Sequence, residues 1–188
     1  AGSNHAVFVS TNEGSNWTVT RTGMPGCWVR AFAFGNSLLF AGSYSSGSIF
    51  VSTNEGSNWS PIDSGFTYLN TNALVIKDSL TFAGTEIGVL LTTNRGLTWA
   101  LANNGLTNTN VQALTVSGQD IFAGTYGGGV FRSTNNGISW SAANVGGTSY
   151  VRALAAGGTN LVASGWGGGV YRSTNSGTNW EPAFSGLS

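Results

Sequence analysis

Trp28, Arg30, Tyr44, Tyr126, Tyr150, Arg152 and Trp166 fall at matching places in a repeating chain, and their types suit one kind of chemistry. Trp28-Val29-Arg30, Asn70-Thr71-Asn72, Asn110-Val111-Gln112 and Tyr150-Val151-Arg152 align as one set, with Tyr44, Glu86, Tyr126 and Trp166 as a second. An aromatic face packs on the C–H groups of a sugar, while a guanidinium or carboxamide bonds its hydroxyls. Arg30, Asn72, Gln112 and Arg152 supply that polar partner at one recurring point. The pattern therefore predicts binding of a neutral polar ligand such as a glycan. The competing reading has Arg30 and Arg152 paired with backbone carbonyls, and Tyr126 and Trp166 packed over the glycine loops that follow them.

Nucleophilic and metal chemistry find little to work with. The single histidine, His5, stands near the N-terminus, so neither a Ser-His-Asp arrangement nor a His-rich metal site has support. Cys27 is the only cysteine, which excludes an intrachain disulfide framework and a multi-cysteine zinc site; it reads as a small packing residue. The YGGGV and WGGGV loops at 126–130 and 166–170 are not phosphate cradles, since no helix and no Lys-Ser/Thr follows them. No motif implies a cofactor.

The elements that must position these residues come from the other five tryptophans. VFVSTNEGSNW ends at Trp17, IFVSTNEGSNW at Trp59, VLLTTNRGLTW at Trp99, VFRSTNNGISW at Trp140 and VYRSTNSGTNW at Trp180. The intervals are 42, 40, 41 and 40 residues, and periods near 40–45 with four short strands per unit are those of propeller blades. A helical array would need apolar residues at i, i+3 and i+4, which these segments lack. In the fourth unit the strands are expected at 111–116, 120–125, 129–134 and 139–143, with the last hairpin turning on STNNG. The whole chain, 1–188, is expected to form a single all-β propeller domain of about five four-stranded blades. Its repeats run approximately 1–17 (partial), 18–59, 60–99, 100–140 and 141–180, with a tail at 181–188.

The motif S/T-T-N-x-G-x-x-W resembles the Asp-box, or BNR, repeat of sialidase-like and xyloglucanase-like propellers, with Asn where that motif usually carries Asp. The resemblance covers all five units. It implies that the box forms the turn between the third and fourth strands of a blade, away from the binding face. Asn12, Asn54, Asn94, Asn135 and Asn175 are then expected to bond their own turn backbone. Trp17, Trp59, Trp99, Trp140 and Trp180 are expected to plug the gap to the next blade. One buried Trp removes about 150–250 Å² from water, worth roughly 4–6 kcal/mol as an upper bound. Sialidases of this architecture use an arginine triad with a Tyr and acids, and no such triad is evident here. Xyloglucan-cleaving relatives use paired acids. Glu86 alone falls on the aromatic face, Asp78 and Asp120 fall on the other, and Asp63 stands alone, whereas glycoside hydrolysis normally needs two carboxylates. Arg132 and Arg172 occupy matching third-strand positions and suggest a surface patch or contacts between blades.

Composition narrows the partners. Charged residues make 7% of the chain against about 25% in an average soluble domain, and seven Lys and Arg balance seven Asp and Glu. With 12% aromatics the chain is not disordered, and with no basic excess it is not a nucleic-acid binder. The 29 glycines lack a triplet period, which excludes collagen, and no apolar run is long enough to insert in a membrane. No signal peptide is visible before Val7, yet low charge with abundant Ser, Thr, Asn and Gly fits an extracellular or cell-surface bacterial protein.

The ends do not match. GLS at 186–188 corresponds to GLT at 105–107, and AGS at 1–3 to AGT at 123–125, so one unit lacks its inner hairpin. The expectation is a propeller with one incomplete blade, excerpted from a longer protein or completed by another chain, as in a homo-oligomer. The function expected is a non-catalytic binding module that takes glycan through the aromatic and arginine sites. The alternatives are a protein-interaction or self-assembling scaffold, and a fragment of a glycoside hydrolase.

Overall fold

The computed structural model describes residues 2, 3, 6–20, 22–24, 26–44, 49–62, 65, 66, 69–143, 146–167, 169–183 and 185. His5, Asp63 and the GLS at 186–188 lie outside them. Among the described residues the chain is all strand, in five sheets. The first has three strands, β1 (Gly2–Ser3), β2 (Ala6–Val9) and β3 (Thr18–Thr20), paired in that order. The other four have four strands each, every one an antiparallel meander in chain order. They are β4 (Trp28–Gly35) to β7 (Ser60–Ile62), with β5 (Leu38–Tyr44) and β6 (Ile49–Ser52) between, then β8 (Thr71–Lys77), β9 (Leu80–Thr85), β10 (Gly88–Thr92) and β11 (Ala100–Leu101). The fourth sheet is β12 (Val111–Ser117), β13 (Asp120–Thr125), β14 (Gly129–Ser133) and β15 (Ser141–Ala142), and the fifth is β16 (Val151–Gly157), β17 (Asn160–Gly165), β18 (Gly169–Ser173) and β19 (Glu181–Pro182). These are propeller blades, with the first one short of a strand. The chain forms two compact units, Ala1–Ala83 with Leu91–Ala100, and Gly84–Leu90 with Leu101–Ser188.

The repeated motif makes the outer hairpin by a fixed set of bonds. In the fourth sheet the Ser133 hydroxyl donates to Asn135 Oδ1 at 3.0 Å and accepts the Gly137 N–H at 2.8 Å. Asn135 Oδ1 also accepts the Ser139 N–H at 2.9 Å. The same three bonds recur around Asn12, Asn54, Asn94 and Asn175, with Ser10, Ser52, Thr92 and Ser173 as the hydroxyls. The turn needs two successive left-handed residues, for example Asn136 at φ 57° and Gly137 at φ 79°. Glycine at the second place takes that conformation without strain. The Asn oxygen at the third motif position accepts both bonds, and in two boxes its N–H also donates, from Asn94 to Thr98 and from Asn135 to Ser139.

The box tryptophans pack backward, not forward. Trp59 lies in a buried cluster with Val7 of β2, Met24 and Cys27, and its backbone N–H donates to the Thr22 carbonyl at 3.0 Å. Trp99 meets Phe40 of β5 edge-on at 6.4 Å. Trp140 donates its indole N–H to the Ala102 carbonyl at 2.7 Å. Trp180, partly buried, joins the Phe122, Val151 and Leu161 cluster. Each therefore fills a seat on the preceding blade, which corrects the expectation of a plug toward the next one. Trp17, in the first blade, has no preceding blade among the described residues and is 54% exposed.

For Arg132 and Arg172 the alternative of contacts between blades is not met, while Arg172 is exposed, as the surface alternative has it. Neither reaches another blade in the bonds it makes: Arg132 Nε donates to Asp120 Oδ2 at 2.9 Å and Arg172 Nη2 to Glu181 Oε1 at 2.6 Å, each across adjacent strands of its own sheet. Cross-strand register puts opposite charges in reach, and that local pairing wins.

Candidate functional site

The inner strands β4, β12 and β16 share one irregularity. Their ladders skip a residue between Val29 and Ala31, between Val111 and Ala113, and between Val151 and Ala153. The skipped residues are Arg30, Gln112 and Arg152. A bulge of this kind releases a side chain from strict alternation and re-aims it. All three polar residues named from the sequence at this point of those strands sit on the bulge.

In the first unit the bulge brings Arg30 over the Tyr44 ring, its guanidinium carbon 4.2 Å from the ring centre. Arg30 Nη1 donates to Asn72 Oδ1 at 3.2 Å, across from β4 to β8. Trp28 stacks on Tyr44 at 6.2 Å with 26° between the planes, because Trp28 and Tyr44 are ladder partners at the end of the β4–β5 hairpin. Four of the residues named above thus form one cluster: Trp28, Arg30, Tyr44 and Asn72. Trp28 is exposed.

The second unit repeats the arrangement with more aromatic surface. Arg152 stacks over Trp166 at 5.3 Å and donates to Gln112 Oε1 at 2.8 Å, while Gln112 Nε2 donates to Asn110 Oδ1 at 2.6 Å. Tyr126 meets Tyr150 edge-on at 4.8 Å and Trp166 edge-on at 6.2 Å. Trp166 is 63% exposed, and Tyr126 and Tyr150 are exposed as well. The backbone fixes this cluster. The Trp166 N–H donates to the Tyr150 carbonyl at 3.1 Å and the Tyr126 N–H to the Asn110 carbonyl at 2.8 Å. Gly165 allows the close approach, since a Cβ there would collide with the Tyr150 carbonyl oxygen. Gly127 and Gly129 both donate to the Ser149 carbonyl, at φ values of 111° and 76° that carry the loop around beneath Tyr126.

Electrostatically each cluster is a single cation with one planar face on an aromatic ring and a carboxamide fixing it. A guanidinium offers five donors, so one used on a carboxamide leaves the group rich in outward-facing N–H. Cation–π contact of this sort is worth about 0.5–1 kcal/mol at an exposed site, enough to hold an orientation. Such a surface can stack on apolar faces of a ligand and bond its hydroxyl or carbonyl oxygens.

Glu86 occupies the β9–β10 turn, the place matching Tyr126 and Trp166. Sequence reasoning missed what holds that turn. Asn103 accepts the Val89 N–H at 2.9 Å and donates to the Ile87 carbonyl at 2.8 Å, filling the space over Gly88. The other acids singled out in the sequence are engaged elsewhere, Asp120 with Arg132 and Asp78 with Lys77 at 3.3 Å. A cleft of about 430 Å³ opens on the box side of the first unit, lined by Val9, Asn16, Thr18, Thr20, Gly56 and Ser57 among others, none of them in the aromatic clusters.

Residues 131–142, spanning a third strand, its box turn and the fourth strand, match the BNR/Asp-box repeat family. The chain is a β-propeller that carries an Asp-box repeat at 131–142. Solved structures share the fold at low identity. A GH74 enzyme of Niastella koreensis is 21% identical with a TM-score of 0.68, over 95% of this chain and 28% of its own. The extracellular domain of the one-component system BT4673 from B. thetaiotaomicron is 17% identical with a TM-score of 0.76, over 96% of this chain and 25% of its own. YCF48 bound to a D1 peptide is 16% identical with a TM-score of 0.70, over 96% of this chain and 60% of its own. The chain thus spans less than two thirds of each of these proteins. No curated protein matches it by sequence.

Proposed function

We propose that this propeller is a non-catalytic carbohydrate-binding module that acts outside the cell or on a bacterial cell surface. The observation that carries the reading is the recurrence of one arrangement in both units. An arginine on an inner-strand bulge lies over an aromatic ring, is fixed by a carboxamide from another blade, and stands beside an exposed tryptophan. Shallow stacking sites of this kind bind weakly one at a time, and two on one chain raise affinity for a multivalent glycan through effective concentration. The GH74 and extracellular-domain neighbours support an extracellular setting and a polysaccharide context. Hydrolysis is disfavoured because it normally needs two carboxylates, and among the described residues of the aromatic loops Glu86 is the one acid.

A glycan array probed with the wild-type chain and with Trp28→Ala and Trp166→Ala tests the reading. The expected result is binding that each substitution weakens and the double substitution abolishes. Binding unaffected by both, or no glycan bound, refutes it. A second reading, recognition of a protein segment, draws on the peptide-bound YCF48 neighbour and on the nearly uncharged surface. It predicts peptide binding that survives both tryptophan substitutions.

A further inference from the structure

The charges of this neutral chain are sorted along its blades. Glu13 and Glu55 lie in box turns, and Asp78 and Asp120 at the turns between first and second strands. Arg132 and Arg172, in third strands, are each paired with an acid of their own sheet, Asp120 and Glu181. The inner-strand position that carries the aromatic clusters is different. It holds Arg30, Asn72, Gln112 and Arg152 in turn, always a cation or a carboxamide and never an acid. Among the described residues neither Arg30 nor Arg152 forms an ion pair.

Both arginines are nonetheless held in place. Arg30 donates to Asn72 Oδ1 at 3.2 Å over the Tyr44 ring, and Arg152 donates to Gln112 Oε1 at 2.8 Å over the Trp166 ring. The holding group is uncharged each time. A carboxamide oxygen orients a guanidinium as a carboxylate would, but it leaves the positive charge unspent. Gln112 is committed to that task, because its Nε2 donates to Asn110 Oδ1 at 2.6 Å and so turns Oε1 toward the arginine. Arg30 and Arg152 are exposed, beside the exposed rings of Trp28 and Trp166. Each cluster therefore presents a fixed, planar fork of N–H donors, the shape that takes the two oxygens of a carboxylate together.

We infer that the ligand is an acidic glycan, whose uronate carboxylate is taken by Arg30 or Arg152 while an adjoining sugar face lies on Trp28 or Trp166. The inference rests on the carbohydrate reading above and sharpens it, putting a charged sugar in place of the neutral one that the residue types alone suggest. Stacking on the rings is indifferent to the charge of the sugar. The guanidinium is not: a neutral sugar uses its donors and leaves its charge unmatched, whereas a carboxylate answers both at once.

The test is titration calorimetry of the purified chain with hexamers of galacturonate, glucuronate and mannuronate, each beside its methyl ester, which keeps the sugar ring and removes the charge. At least one acid form should bind about 10-fold or more tightly than its ester, the effect of a hydrogen bond to a charged group. That advantage should shrink as salt is raised toward about 1 M, while binding of the ester holds. The double variant Arg30→Gln with Arg152→Gln should bind acid and ester equally; both positions are exposed, so it is expected to fold, which circular dichroism checks. Arg95→Gln removes the same charge from an exposed box turn and should keep the preference for acid. Trp28→Ala with Trp166→Ala should weaken acid and ester alike. A wild-type chain that binds esters or neutral glycans as tightly as acids overturns the inference and leaves the carbohydrate reading standing. A chain that binds no glycan overturns both. A preference for acid that survives the double arginine substitution also overturns the inference, because the carboxylate is then held elsewhere.

Discussion

Five tryptophans with the same motif should respond differently to the same substitution, and the contrast between Trp99 and Trp17 is the most informative. Both belong to the first unit, so their effects are read on one cooperative structure. Trp99 is 8% exposed and sits edge-on to Phe40. Replacing it with Ala removes a buried indole and leaves a cavity, which costs about 3–5 kcal/mol. Trp17 has less than half its surface covered. About 100 Å² at ~25 cal/mol per Å² bounds its loss near 2.5 kcal/mol, and solvent fills the space left behind. Burial already present in the unfolded chain lowers that to about 2 kcal/mol. For a chain of this length each kcal/mol moves the melting midpoint by roughly 2–4 °C. Trp99→Ala, at about 4 kcal/mol, should therefore melt about 8–16 °C below wild type and Trp17→Ala only about 4–8 °C below. The assay is differential scanning calorimetry in dilute protein, where self-association does not contribute. Equal shifts for the two variants would refute the backward-packing assignment, since a forward-facing plug would bury Trp17 as deeply as Trp99.

Two further outcomes follow from local geometry. Ser133→Ala should destabilise by about 1–3 kcal/mol in chemical denaturation, because it strands the buried Gly137 N–H, while Ser10→Ala in the exposed first box should cost less. Gly165→Ala should push Tyr150 and Trp166 apart and shift the tryptophan fluorescence of the folded chain; an unchanged spectrum with wild-type glycan binding would show that the close approach does not position Trp166.

The blade architecture was legible because a turn must be chemically specified to form. The hydroxyl, the Asn oxygen and the glycine each fill a bond or a dihedral that few residues can fill, so the box repeats in letters as it repeats in space. The fourth-unit strands expected at 111–116, 120–125 and 129–134 lie within a residue of those observed; the last, expected at 139–143, covers only Ser141–Ala142. The direction in which a box tryptophan packs was not legible. Preceding and following blades offer similar apolar surfaces in sequence, and only the register of Gly96 against Phe40 distinguishes them. The bulges at Arg30, Gln112 and Arg152 left no mark either, because a skipped ladder partner requires no particular residue type. Alignment alone put the aromatic and polar residues at common positions. Their assembly into two clusters, each with a cation over a ring, depends on that bulge. The Arg132–Asp120 pair was not legible because Asp120 is close in the sheet through diagonal register, a relation that strand spacing does not display.

The asparagine in every box has a consequence for acid. A carboxylate that accepts two bonds at this point of a turn holds its strength only while ionised, and the turn loosens as pH falls and the group takes up a proton. A carboxamide oxygen has no such transition. The five turns that pin the outer hairpins therefore keep the same acceptor from neutral solution down through the range where carboxylates titrate.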